Sequence, residues 1–363
     1  MALIVADKHM NLQNWYRKQG VVQIVRLIAV TCSAIALASC GNKPSGFVAE
    51  RQPEKSRPTF ADWCRDRYSL TPEAQRTVEK LLDIAANDPT VHIECDVANQ
   101  KLSNFTKLSL SSDYITDLKP LESFTKLRIL NLAGNEISDI KPLQSLTNLT
   151  ELSLGNNQIS DIKPLKSLTN LRLLRLNKNK ISDITPLESL TNLTGIELRD
   201  NQIGDLKPLA SLTKLTELSL ATNKINDIKP LESLTNLTVL YIDQNQISDI
   251  TPLQSLTKLT GLFLCCNKIN DITPLQSLTK LIKINLSDNK ISDITPLQSL
   301  TKLTQLILSN NEISDIKPLQ SLTNLTILHL TNNKIRDIKP LESLPNLTRP
   351  PCDRGICWGN GKW

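Results

Sequence analysis

The chain has 363 residues, enough for two or three ordinary domains, but only 4% of them are aromatic while Leu, Ile, Asn, Thr, Ser and Asp recur constantly. A compact core normally needs bulky fillers, so a thin, regular, layered structure is expected instead. The formal charge of +6 is no nucleic-acid footprint, because Lys8, Arg17, Lys18 and Arg26 against Asp7 account for half of it and leave 38 basic against 35 acidic residues from Cys40 onward.

Residues 1–39 read as an export signal rather than as fold. Arg17, Lys18 and Arg26 form a basic segment, and Leu27 to Ala38 a short apolar one. That stretch is shorter than the roughly 20 apolar residues of a membrane-spanning helix. It ends in Leu37-Ala38-Ser39-Cys40, followed by Gly41, which resembles the lipobox of bacterial lipoproteins. The resemblance implies cleavage before Cys40, a lipid on its thiol, and anchoring in a bacterial cell envelope, facing periplasm or exterior. Met10 is an alternative start, since it discards Asp7. Residues 40–57 are polar and suit a flexible tether.

Residues 58–101 are expected to form an N-terminal helical cap. Thr71-Pro72-Glu73 is a helix start, with Thr71 as N-cap and proline in the first turn. Ala74, Val78, Leu81, Leu82 and Ala85 share one face, and Asn87-Asp88-Pro89 ends the helix. Cys64 and Cys95 bracket it, Cys352 and Cys357 lie beyond the repeats, and disulfides within each pair suit an oxidising compartment. Zinc is poorly supported, with no CxxC pair and only His9, His92 and His329. Cys265 and Cys266 are adjacent, and on a strand they would point to opposite sides, Cys265 to the sheet surface and Cys266 to the loop edge. No metal site and no cofactor are therefore expected.

From 102 to 348 the chain is one repeated unit. An asparagine recurs every 22 residues from Asn135 to Asn333, with Asp113 in the same place one unit earlier, giving eleven units. Around Asn157 stand Leu149, Leu152, Leu154 and Ile159, an LxxLxLxxNxI pattern, followed by Asp161, Ile162, Pro164, Leu165 and Leu168. Leu152 and Leu154 alternate with Ser153 and must point inward from a short strand. One unit cannot enclose its apolar face, so units stack, their strands pair in parallel, and eleven strands make a sheet about 50 Å along the axis. Each asparagine is expected to satisfy backbone groups of neighbouring loops. The prolines from Pro120 to Pro340, each three residues after an aspartate, predict capped turns or short 3₁₀ pieces on the opposite side. The aspartates read more simply as caps than as a calcium ladder. The fold class is an α/β leucine-rich-repeat solenoid with its parallel sheet on the concave face. Pro350 and Pro351 rule out a further paired strand, and residues 349–363 are a C-terminal cap or tail.

The 22-residue form with DIxPL resembles the internalin-type leucine-rich repeats of bacterial surface proteins, and is also similar to repeats of the protein-phosphatase-1 regulatory subunit class. The cysteine-bracketed front end and lipobox resemble exported bacterial repeat lipoproteins. The internalin resemblance implies that the concave face binds a protein partner. Residues 349–363 show no match to an immunoglobulin-like segment or cell-wall anchor of the internalin type, so host-cell adhesion is not part of the expectation.

The residues point to the same face independently. Its central column runs Ser109, Asn131, Ser153, Arg175, Glu197, Ser219, Tyr241, Phe263, Asn285, Ile307 and His329. Arg175 and Glu197 are expected to pair along the sheet, and Tyr241, Phe263 and Ile307, with Val239 beside Tyr241, are typical interface anchors. The alternative reading of these side chains is packing between neighbours that merely shields the sheet. Catalysis is disfavoured: GxxxxGKS/T, HExxH and GxSxG are all missing, Gly359 to Lys362 lack the rest of a phosphate loop, and fixed spacing leaves no long loop for an active site. Asn148-Leu149-Thr150 and its copies match the glycosylation sequon but arise from the repeat itself. The expected function is non-catalytic binding of a protein or glycan by a monomeric, lipid-anchored protein. An intracellular phosphatase-regulator-like scaffold and an envelope-structural protein without a discrete ligand are the alternatives.

Overall fold

The computed structural model describes residues 57–87 and 92–347, and the backbone of two short strands in the tail. The expected signal, lipidation at Cys40 and nearly all of the tether lie outside the described residues. Those residues include no helix long and apolar enough to cross a membrane.

Three helices open the described chain. α1 (Phe60–Arg65) begins at a capping box, in which Thr59 Oγ1 accepts from Asp62 N–H while the Asp62 carboxylate accepts from Thr59 N–H. α2 (Pro72–Ala86) starts where the sequence predicts, with Thr71 Oγ1 accepting from Ala74 N–H. It ends at Asn87, whose φ of 60° is the left-handed closure that asparagine tolerates. α3 (Cys95–Leu102) is joined to α1 by the Cys64–Cys95 disulfide, Cα–Cα 5.6 Å, and by the Arg65–Asp96 ion pair. The lid over the solenoid's first turn is therefore a three-helix unit rather than the single helix read from sequence. Phe60, Val78, Leu81, Ala98 and Leu102 are buried in it, continuous with the core of the repeats. Phe60 meets Phe124 at 5.8 Å, and Thr77 Oγ1 donates to the Asp117 carbonyl at 2.7 Å.

The repeats form one parallel sheet of eleven three-residue strands, hydrogen-bonded in chain order. They are β1 (Lys107–Ser109), β2 (Ile129–Asn131), β3 (Glu151–Ser153), β4 (Leu173–Arg175), β5 (Gly195–Glu197), β6 (Glu217–Ser219), β7 (Val239–Tyr241), β8 (Gly261–Phe263), β9 (Lys283–Asn285), β10 (Gln305–Ile307) and β11 (Ile327–His329). Register follows the repeat: Leu240 faces Leu218 on one side and Leu262 on the other. The middle residue of every strand is buried, and the leucines and isoleucines of the rest of each coil fill the space behind it.

The recurring asparagine is the polar hinge of each coil. Asn157 Oδ1 accepts from Ile137 N–H of the preceding unit at 3.0 Å, and its Nδ2 donates to the carbonyls of Leu132, Leu154 and Gly155. One buried amide thus satisfies backbone groups of two successive coils, as burial demands. Asp113, in the same place in the first unit, instead pairs with Lys80 of the lid at 2.8 Å.

Short 3₁₀ segments line the convex side, each with proline in its first turn, as at Thr251–Ser255. The aspartate acts one step differently from an N-cap on these segments. Asp249 Oδ1 accepts from Thr251 N–H two residues on, at 2.8 Å, closing an Asx turn. Ser255 Oγ and Asn236 Nδ2 donate to Glu232 and Thr213 carbonyls one unit back, stitching the convex side as the sheet stitches the concave one.

In the tail, Cys352–Asp353 pairs antiparallel with Ile356–Cys357, not with the main sheet, and Cys352 stands opposite Cys357. Their side chains, and with them the expected second disulfide, lie outside the described residues.

Candidate binding surface on the sheet

In each strand the middle residue is committed to the core, so its two neighbours face outward on the concave side. Tyr241 and Phe263 are lateral neighbours in this exposed column. Their rings stack with centroids 4.5 Å apart and planes 9° from parallel. Neither ring supplies the core, since Leu237, Leu240, Ile242, Leu259, Leu262 and Leu264 are all fully buried behind them. Tyr241 remains 41% exposed, a large aromatic area left to water on a rigid sheet. Phe263 covers one face of the Tyr241 ring, so the other face is turned along the sheet toward Ser219.

A recess of about 600 Å³ opens on that side. It is lined by Arg175 of β4, Gly195 and Glu197 of β5, Ser219 of β6 with Ala221 after it, and Tyr241 of β7 with Asp243 after it. Arg175 Nε donates to Glu197 Oε1 at 2.9 Å, with both side chains nearly half exposed. Such a pair is worth under about 1 kcal/mol, so it orients the groups more than it stabilises the fold. Asp243 Oδ1 accepts from Cys265 N–H at 3.0 Å, and burial pushes its carboxyl above the usual range.

Of the expected residues, Tyr241, Arg175 and Glu197 line this recess, Phe263 stacks on the Tyr241 ring from outside it, and Val239 is not part of its lining. Ile307 and His329 stand two and three strands beyond Phe263, outside the recess. Residues that the sequence reading passed over include Asp243, Arg199 and two glycines. A Cβ on Gly195 would lie 2.8 Å from Leu173 Cδ2, and one on Gly261 would press the Phe263 ring at 3.4 Å. Gly195 and Gly261 are the only glycines in the eleven strands, which is the signal that could have found them.

Cys265 and Cys266 do not diverge as expected. They lie past the end of β8, and Cys266 adopts φ 60°, the left-handed conformation repeated at this position in successive coils. The turn brings both thiols and an Asp288 carboxylate oxygen within 4.8 Å of one another. The alternation that separates neighbours on a strand does not apply beyond its last residue. Burial, the neighbouring Cys266, and then the charges of Asp243 and Asp288 push the Cys265 thiol well above its ordinary pKa.

Comparison with known proteins agrees with this geometry. The family described as Leucine Rich repeats (2 copies) matches residues 103–145, 147–189, 191–233 and 235–277, with overlapping matches on to 343. Among solved structures, an internalin (inlF) of Listeria monocytogenes is 36% identical, covering 80% of this chain and 84% of its own, with a TM-score of 0.73. Internalin C2 of the same organism is 34% identical over 58% of this chain and 92% of its own, TM-score 0.54. A leucine-rich-repeat protein of Leptospira interrogans is 25% identical over 69% of this chain and 85% of its own, TM-score 0.51. No curated protein sequence gives a significant match. With eleven stacked parallel strands, 3₁₀ turns and this repeat, the chain belongs to the internalin-type leucine-rich-repeat proteins.

Proposed function

We propose that this is a non-catalytic binding protein, exported and held at a bacterial cell envelope by a lipid on Cys40, which takes a protein or glycan partner on its concave face. The observation that carries the reading is the stacked Tyr241–Phe263 pair beside the recess. Hydrophobic burial is complete without these rings, and the same column holds Ser219 and Asn285 on either side of them. Aromatic anchors on a rigid surface dominate binding free energy because they bury large area at small entropic cost. The recess adds a charged pair, Arg175 with Glu197, which sets the orientation of whatever stacks on the Tyr241 ring.

The fold supports a binding role more than an enzymatic one. Fixed 22-residue spacing presents side chains from a sheet, without long loops to enclose a reacting centre. The test is binding by the full chain and by Tyr241→Ala/Phe263→Ala, using the partner recovered from the bacterium's own envelope and surroundings. Loss of binding in a folded double variant supports the reading. Retained binding moves the site elsewhere on the surface.

A further inference from the structure

Beyond the sheet column, one cluster of side chains has the composition and spacing of a ligand set. We propose that Cys265, Cys266 and Asp288 form a binding site for a single thiophilic d¹⁰ divalent cation, Zn²⁺ being the cation the donors fit.

Three observations converge. The first is distance. The two Sγ atoms and an Asp288 carboxylate oxygen all lie within 4.8 Å of one another, and Cys265 Sγ is 3.9 Å from Asp288 Oδ2. Tetrahedral ligands at Zn–S of about 2.3 Å and Zn–O of about 2.0–2.2 Å stand about 3.5–4 Å apart, so small side-chain rotations complete the set.

The second is preorganisation. In the last three coils the left-handed position carries a polar ladder along the axis. Asn332 Nδ2 donates to Asn310 Oδ1 at 2.6 Å, and Asn310 Nδ2 donates to Asp288 Oδ1 at 2.8 Å. One carboxylate oxygen of Asp288 is therefore held from behind while the other is turned to Cys265. Oriented ligands of this kind are how an outer shell tunes a metal site. On the opposite side the Asp243 carboxylate accepts from Cys265 N–H and fixes the backbone from which that thiol projects.

The third is chemistry. Two sulfurs and one oxygen select a soft or borderline cation over Ca²⁺ or Mg²⁺, which take oxygen ligands. Each thiol gives its proton to solvent as its Zn–S bond forms, and no oxidant or reductant is required. Three protein ligands leave the fourth position to water or to a group of a bound partner.

The substitutions that test this are ones the repeat already tolerates. Ser287 and Ser309 occupy the Cys265 position in later units, and Asn310 occupies that of Cys266. Full-length protein stripped with chelator is titrated with Zn²⁺, and with Cd²⁺ read by its thiolate charge-transfer band. Wild type should bind one ion more than Cys265→Ser/Cys266→Asn, which keeps its melting transition in the apo form. Asp288→Asn, which removes the anionic oxygen ligand, should weaken binding by at least the roughly tenfold that loss of even an outer-shell partner costs. Equal stoichiometry in wild type and the double cysteine variant overturns the site. So does unchanged affinity in Asp288→Asn, or a Cys265–Cys266 disulfide in protein isolated from its own envelope.

Discussion

At the scale of the residue, the unit is held by polar side chains whose spacing announces them. Asn245 is 8% exposed, and its amide serves Leu220, Ile242 and Asp243 carbonyls while its oxygen takes Ile225 N–H. Asn245→Ala removes the buried bonds to Ile225 N–H and to the Leu220 and Ile242 carbonyls, while the Asp243 carbonyl keeps Thr222 N–H, so denaturant unfolding should show a loss of about 2–3 kcal/mol. The convex aspartates respond to pH. Asp183, Asp249, Asp271 and Asp293 have carboxyls held below the ordinary value, chiefly by the hydroxyls of Thr185, Thr251, Thr273 and Thr295 and then by their N–H groups. A carboxyl lowered in the folded state adds stability that is fully present above the unfolded pKa, near 3.8. That stability is lost as pH falls through the folded value. Acid titration of the melting transition should therefore fall below about pH 4, and fall less in a variant carrying Asn at these four positions.

Legibility at this scale followed from repetition. Eleven copies in one phase made the inward leucines, the hinge asparagine and the outward column readable, because each position recurs with the same partner 22 residues away. Cys265 and Cys266 were misjudged for the converse reason. The strand ends at Phe263, one coil cannot announce where its alternation stops, and the left-handed turn that follows is visible only in three dimensions.

At the scale of the element, the strands, 3₁₀ segments and α2 follow directly from periodicity, proline and capping. α1 and α3 were missed because six and eight residues are too short to show a helical period. Thr59 and Asp62 did carry a capping-box signal. These short helices are held by the disulfide and by packing, since isolated helices of such length are unstable in water. Cys64→Ser/Cys95→Ser opens a 31-residue loop and should lower stability by about 3–4 kcal/mol on the chain-entropy estimate. Hydrogen exchange should locate the loosening in residues 57–102 first. Uniform loosening along all eleven units would mean that the lid and the repeats unfold as one.

At the scale of the whole molecule, shape and placement are what matter. Stacking coils with a strand on one side and a tighter 3₁₀ turn on the other presents a broad concave sheet, and on it one exposed aromatic stack beside one recess. Attachment through Cys40 would set that surface at the end of a tether. Radiolabelled palmitate should enter the wild-type protein and not Cys40→Ala, and equal labelling of both would remove the lipid anchor from the account. The central claim is that Tyr241 and Phe263 are the binding anchor. Its most direct test is calorimetric affinity for the isolated partner, measured with wild type and with Tyr241→Ala/Phe263→Ala. The account predicts a loss of about 2–4 kcal/mol, roughly 30-fold or more in Kd, with a nearly unchanged melting transition. A folded double variant that binds with wild-type affinity would contradict it.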